Sequence, residues 1–121
     1  MDMTNEEFNE LFRKRTMKFA LQIIKFIESI PLNTATRVLS FQLGKSATST
    51  GANFRAFCRG RSRNERYSKI CIVVEEADET EYWLAIFTET SYGDSKLKKE
   101  LLDESLEILK IAGSIKHKFS T

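Results

Sequence analysis

The rarity of helix-breaking residues constrains this chain more than any other feature of its sequence. Its 121 residues include one proline, Pro31, and five glycines. Proline and glycine are the strongest interruptions of regular structure. Between the few turn signals, apolar residues recur at helical spacing, and no segment of any length alternates with a period of two. The sequence therefore predicts an all-α protein.

Start and stop signals divide the chain into four helices. Thr4 and Glu7 have the spacing of a capping box, in which two side chains bond the free amides of a helix start. Ser62 and Glu65 repeat that spacing. Pro31 ends the first helix, because the residue before a proline avoids helical backbone angles. We predict helices over residues 4–30, 34–58, 63–89 and 95–117.

The length and the short connections predict how these helices pack. A chain of 121 residues suits one domain, and 41% hydrophobic with 30% charged residues is typical of a soluble globular protein. Short connections make successive helices antiparallel neighbours. We therefore predict an up-down-up-down antiparallel four-helix bundle, formed by a single domain over residues 1–121. No apolar run is long enough to cross a bilayer and the N-terminus lacks the pattern of a signal peptide, so we expect a cytoplasmic protein without membrane contact.

Two features of the first and second helices suggest close contacts beyond a simple bundle. The first helix carries a second apolar row, although one stripe is enough to face a core. The surplus indicates burial against another subunit, and a broad core face is the equal alternative. In the second helix, Gly51 costs about 1 kcal/mol relative to alanine, so we expect a packing reason for it. The second row consists of Met17, Ala20, Ile24 and Ile27.

The sequence lacks the combinations of residues that metal-binding or nucleophilic sites require. Five carboxylates lie between Glu75 and Glu81, but a di-metal bundle site requires Glu-x-x-His motifs on two helices. The chain has one histidine, His117, and no such motif. Cys58 and Cys71 have neither metal or redox spacing nor an evident histidine partner. The sequence predicts a protein without enzyme activity, metal or cofactor.

The acidic run has a structural interpretation instead. Folding the third helix back on the second about residues 61–62 places Thr48 level with Glu75. Carboxylates that become buried need donors of this kind. We expect part of the run to form a polar seam or a subunit contact, and a simple solvated face is the alternative. The candidate residues are Thr48, Ser49, Asn53, Glu75, Asp78 and Glu79.

A basic cluster is the main functional signal. Between Arg55 and Lys69 there are six cations and one acid, Glu65. In this topology the cluster shares an end of the bundle with both termini, and the basic residues 13–15 and 116–118 approach that end. Arginine binds phosphate with two parallel hydrogen bonds. The alternative is that these cations only stabilise helix C-termini or solvate a loop, since the net charge is +2. The phosphate-binding or nucleic-acid-binding candidates are Arg55, Arg59, Arg61, Arg63 and Arg66.

Residues 42–84 resemble the central signature of a known family. This resemblance is to the bacterial four helix bundle protein family, first described as open reading frames within intervening sequences of 23S ribosomal RNA genes. The matching elements are Gln42-Leu43, Gly51-Ala52-Asn53, Arg61-Ser62, Glu75 to Thr80, and Tyr82-Trp83-Leu84.

The resemblance implies a four-helix bundle, a homopentamer in the better-known members, and no catalytic residues. The chain is also similar to the accessory variability determinant proteins of diversity-generating retroelements, which are basic pentamers that associate with a reverse transcriptase and nucleic acid. It departs from the family at Thr50, where many members have isoleucine or valine, and it is less basic than the retroelement branch. We therefore expect a non-enzymatic oligomer that binds RNA or single strands through its basic end. The alternative is a protein-interaction scaffold with a protein partner and no nucleic-acid role.

Overall fold

Four α-helices make up most of residues 2–119, the part of the chain that the computed structural model describes. Within these residues there is no β-strand, so the predicted all-α fold is confirmed. Each helix begins and ends within two residues of its predicted bounds. The helices are α1 (Asn5–Glu28), α2 (Thr34–Cys58), α3 (Arg63–Thr88) and α4 (Ser95–Phe119).

Side-chain caps determine where the helices begin. At α1 the Thr4 hydroxyl accepts from the Glu7 amide at 3.1 Å, and the Glu7 carboxylate accepts from the Thr4 amide at 3.4 Å. This reciprocal pair satisfies amide donors that have no partner inside the helix. The other helices also begin at polar side chains that accept a hydrogen bond from the first turn. The capping residues are Thr4, Asn33, Ser62 and Asp94.

Successive helices pack against each other in antiparallel pairs, as predicted for a helical bundle. The start of α1 meets the end of α2 where the rings of Phe12 and Phe54 lie 4.7 Å apart, edge to face. At the opposite end of the bundle the rings of Phe26 on α1 and Phe87 on α3 lie 5.1 Å apart, also edge to face, and this contact crosses the core between non-successive helices. Helices α1 and α4 touch only sparsely. Contacts are therefore extensive between helices that follow one another in the chain and sparse between α1 and α4.

Part of the second apolar row on α1 remains uncovered in the single chain. Met17 is 60% exposed and Ile24 is 40% exposed, whereas Ala20 and Ile27 are partly buried. The broad-core alternative therefore does not account for Met17 and Ile24. Other apolar side chains on α1 and α2 are exposed as well. They include Leu21, Val38 and Phe41.

A buried lysine joins α4 to the end of α3. Lys98 is 3% exposed, and its ammonium donates to the carbonyls of Phe87 at 3.0 Å and Thr90 at 2.8 Å. Carbonyls at the end of a helix lack partners within it and carry the negative end of its dipole. The Lys98 side chain therefore satisfies the C-terminus of α3 from the first turn of α4.

Gly51 and Gly93 differ in the room that their surroundings leave for a side chain. Gly93 has φ +81°, and a β-carbon there would lie 2.7 Å from Cε1 of Phe26. A β-carbon on Gly51 would lie 3.5 Å from the Thr16 carbonyl oxygen, an ordinary van der Waals contact. The expected packing reason for Gly51 is therefore wrong, because the α1–α2 contact has room for a methyl group.

Alanine substitutions at these two glycines should have opposite effects on the free energy of unfolding. Gly51→Ala should raise it by about 1 kcal/mol, because alanine favours a helix interior. Gly93→Ala should lower it by about 2 kcal/mol or more, through the left-handed backbone and the clash with Phe26. Urea unfolding of both variants measures the difference. Destabilisation by Gly51→Ala would contradict the room seen beside Thr16.

Removal of the Lys98 ammonium should destabilise the bundle. Lys98→Met keeps most of the buried stem but removes the donor to the Thr90 carbonyl, at a cost of about 1–3 kcal/mol, while the Phe87 carbonyl still accepts from the amide and hydroxyl of Thr90. Lys99→Met is the matched control, since the Lys99 side chain is 77% exposed and pairs only with Asp103. Its cost should be below about 0.5 kcal/mol. Equal unfolding midpoints for the two variants would show that the cap has no energetic role.

Candidate nucleic-acid interface

The predicted basic cluster lies where α2 ends and α3 begins, against the end of α4. Arg63 connects this junction to α4. Its guanidinium carbon lies 4.7 Å from the centre of the Phe119 ring. The same guanidinium donates to the Lys118 carbonyl at 3.1 Å. Cation–π contact and the hydrogen bond thus fix Arg63 relative to the C-terminus of α4.

Arg66 is held in a similar way against the end of α2. Its guanidinium carbon lies 5.1 Å from the centre of the Phe57 ring, and its Nε donates to the Phe57 carbonyl at 3.3 Å. Gly60 makes this approach possible, because a β-carbon there would lie 2.4 Å from Cγ of Arg66. The aromatic rings and the glycine therefore place Arg66 in a defined position.

The structure brings three of the five predicted arginines together around one cleft of about 300 Å³. We call it the arginine cleft, and its lining includes Arg61, Arg63, Arg66 and Phe119. Arg59 is exposed at the end of α2. Arg55 lies apart, in a shallow groove of about 170 Å³ between α1 and α2. The predicted set thus divides into three arginines that share the cleft and two, Arg55 and Arg59, that do not line it.

The basic residues 13–15 of α1 are paired with acids. Arg13 contacts Glu10 at 2.7 Å, and Lys14 lies 3.9 Å from the same carboxylate. The hydrogen bond from Arg13 lowers the pKa of Glu10. Arg15 makes two hydrogen bonds to Glu104 on α4, at 2.8 and 2.7 Å. Their expected contribution to a basic end is therefore corrected: nearby carboxylates neutralise them.

The predicted seam residues lie mostly on the surface of the single chain. Glu75, Asp78 and Glu79 are exposed, and the exposed Thr48 hydroxyl donates to the Gly44 carbonyl of its own helix at 2.8 Å. Within α2, Asn53 likewise donates to the Ser49 carbonyl at 2.9 Å. The expected meeting of Thr48 with Glu75 inside one chain is therefore not observed, and a subunit contact through these residues stays a prediction.

A hydrogen bond between two hydroxyls crosses from α2 to α3 at a different pair of residues. Thr80 donates to Ser46 at 2.9 Å, and both residues are buried. The sequence argument paired residues by their level along the helices, whereas the direction of the side chain around each axis decides which pair meets. Ser46 lies two residues before Thr48 in α2, so only the helical phase distinguished them.

Glu76 is the acid of the run with the most altered environment, and the sequence argument missed it. It is partly buried, and burial raises its pKa. The neighbouring Glu79 and Glu75 add to the rise, while Lys45 opposes it. Glu76 lies four residues before the buried Thr80, on the same face of α3, and this spacing could have placed it beside the core.

A second cleft, of about 500 Å³, adjoins the basic end and was not predicted. It lies between the start of α1 and the end of α4, and we call it the aromatic cleft. Phe8, Phe57 and Phe119 line it together with the basic residues Arg66 and Lys118. An apolar residue at a helix start, such as Phe8, was the only hint in the sequence.

The candidates for other chemistry occupy plain structural positions. Both cysteines are partly buried, and burial raises the pKa of the Cys58 thiol, which disfavours the nucleophilic thiolate. In residues 2–119 no three His, Cys, Asp or Glu side chains are grouped so that they could hold a metal ion. No helix in that range is both long and apolar enough to span a membrane.

Fold and site define a class of protein, a helical bundle of four helices with an arginine-rich end. Residues 9–114 match the family model of the 23S rRNA-intervening sequence protein. Because the match covers most of the chain, the protein belongs to this family. The resemblance found over residues 42–84 is therefore confirmed and extends into the flanking helices.

A solved structure supports the same assignment. It is a protein of unknown function from the S23 ribosomal protein family of Bacteroides thetaiotaomicron, and it superimposes with a TM-score of 0.79. The two chains are 31% identical, and the match covers 90% of this chain and 97% of the other. None of the curated proteins matches this chain.

Proposed function

We propose that this protein is a non-enzymatic, oligomeric bundle that binds RNA or single-stranded nucleic acid through its basic end. The observation that carries the proposal is the arginine cleft, where Arg61, Arg63 and Arg66 surround one cavity and no carboxylate is among its lining residues. Guanidinium groups fixed in this manner suit the bidentate recognition of phosphate. A cytoplasmic location fits such a ligand.

The kind of partner distinguishes these arginines from Arg13 and Arg15. Arg13 and Arg15 form ion pairs, whereas none of the ion pairs within residues 2–119 involves Arg61, Arg63 or Arg66. Aromatic rings and backbone carbonyls position Arg63 and Arg66 without cancelling their charge. A net charge of +2 is therefore compatible with a locally strong positive potential.

Assembly into a homo-oligomer is the second part of the proposal. Exposed apolar side chains on α1 and α2, among them Met17, Ile24 and Phe41, support burial against another copy. The family resemblance makes a pentamer the best count. A ring would repeat the basic end about its axis, so that weak phosphate contacts reinforce one another through multivalency.

A protein-interaction scaffold is the second candidate, favoured by a cleft of about 570 Å³ between α1 and α4. Its lining combines apolar side chains with lysines of α1 and glutamates of α4. Such a surface suits a partner helix with an apolar face and charged edges. In the retroelement branch that the chain resembles, the corresponding partner is a reverse transcriptase, and we propose a protein partner of this kind for the alternative.

Removal of the clustered charges should weaken nucleic-acid binding without unfolding the bundle. We expect the combined variant Arg59→Gln, Arg61→Gln, Arg63→Gln and Arg66→Gln to keep its helicity by circular dichroism and to lose affinity for single-stranded RNA. Each lost phosphate contact should reduce the slope of log affinity against log salt by about 0.7. The loss should be similar across sequences, since phosphate contacts carry no sequence information.

The matched control removes four exposed cations at the opposite end of the bundle. It combines Lys25→Gln, Arg37→Gln, Lys96→Gln and Lys99→Gln, and it should change affinity little. Equal losses from both ends would indicate nonspecific attraction. If the native protein shows no salt-dependent binding at moderate ionic strength, the scaffold function takes precedence.

Charges placed in the exposed apolar row should break the assembly. The native protein should scatter light as an oligomer, with five copies the expected count. Met17→Glu combined with Ile24→Glu should yield a helical monomer, because buried unpaired carboxylates are costly. Leu32→Glu is the control at a loop residue that is 78% exposed, and it should leave the mass unchanged. A native monomer at micromolar concentration would contradict the proposed assembly.

A further inference from the structure

We infer that the aromatic cleft is a subsite for an unpaired nucleobase, adjoining a phosphate held in the arginine cleft. The inference rests on the proposed binding of single-stranded nucleic acid and names the part of the strand that the protein contacts. It assigns a role to the start of α1, which the arginine argument does not use.

The two clefts are neighbours that share a wall. Arg66 and Phe119 line both of them. Arg66 is positioned by Phe57, whose ring lies 5.6 Å from that of Phe119 in an edge arrangement. A ligand with two parts can therefore occupy both cavities at once, with the shared residues between its parts.

The charges that line the two clefts differ, and this difference indicates which part of the ligand each cleft binds. The arginine cleft has three guanidinium groups and no carboxylate in its lining. The lining of the aromatic cleft has both signs of charge, with the Glu6 carboxylate offsetting one of the cations Arg66 and Lys118, and it also contains three phenyl rings and the amides of Asn5 and Asn9. The purely cationic first cleft favours an anion more strongly, whereas the rings and amides of the second suit an uncharged planar group. A nucleotide has this composition, a phosphate linked through a sugar to a neutral planar base.

The lining of the aromatic cleft matches what a base requires. Phe8 is 39% exposed, which leaves part of its ring available for contact. Nucleobases stack on such rings with little sequence preference. The amides of Asn5 and Asn9 and the Glu6 carboxylate offer donors and acceptors for base edges. The volume of about 500 Å³ lies within the usual range of ligand clefts.

This subsite has a consequence for the form of nucleic acid that binds. A base in a duplex is stacked and paired, so it reaches a side cleft only after leaving the helix. Single strands present bases without that cost. The two clefts together therefore favour single-stranded over double-stranded nucleic acid. The arginines alone would bind the phosphates of either form.

An abasic oligonucleotide separates base contacts from phosphate contacts. We would measure affinity at one salt concentration for a short single-stranded oligonucleotide of adenylates and for an abasic strand with the same number of phosphates. The native protein should prefer the base-bearing strand by about tenfold, the effect of losing roughly one stacking contact. Phe8→Ala should remove most of this preference and leave abasic binding unchanged, while Phe8→Tyr should keep the preference.

The control is an exposed aromatic residue distant from the basic end. Tyr82 is 55% exposed on α3, and Tyr82→Ala should leave the preference intact. Light scattering of each variant tests whether its assembly is preserved. If Phe8→Ala changes the oligomeric mass, Phe8 is an assembly contact and the subsite is overturned.

The remaining outcomes distinguish this inference from the proposed function. Equal, salt-dependent binding of both strands by the native protein would overturn the base subsite and leave phosphate binding by the basic end in place. Absence of binding to either strand would overturn both. A preference that survives Phe8→Ala unchanged would place the base contact elsewhere on the protein.

Discussion

The antiparallel packing of α3 against α2 is the constraint on which the basic end depends. Buried apolar residues of both helices meet along this contact, and the Thr80–Ser46 hydrogen bond satisfies the polar groups enclosed with them. At its end, the close approach allowed by Gly60 brings Arg66 onto Phe57. The arginines are therefore held by the same packing that stabilises the fold, and the site needs no separate framework.

The distribution of ion pairs explains how a nearly neutral protein presents a positive surface. The cations 13–15 of α1 lie within reach of acids on α1 and α4, as in the Arg15–Glu104 pair that joins the first and last helices. Around the α2–α3 connection the rings of Phe57 and Phe119 take the place of acids as partners. Aromatic contacts position a guanidinium while preserving its charge, which suits a surface that meets phosphate.

The sequence located the arginine-rich connection but not the side-chain contacts between α2 and α3, and a site at either place stays a prediction. The arginine-rich connection was found because charge density is a local property. The pairing of Thr48 with Glu75 was expected from matched levels along two helices, but Ser46 and Thr80 are the residues that face each other. A small error in helical phase turns a side chain from the core to solvent. The aromatic cleft was not predicted because residues that line it, such as Phe8 and Phe119, lie near opposite ends of the chain.

The sequence by itself determined the number of helices, their bounds and their order, because caps, Pro31 and apolar periodicity act within a few residues of chain. It also determined that arginines gather at one connection. Only the tertiary structure decided which cations are paired with acids, which hydroxyls are buried, and that Phe8 and Phe119 line one cleft. These properties depend on distances between residues far apart in sequence, and such distances are set by packing geometry that no local pattern encodes.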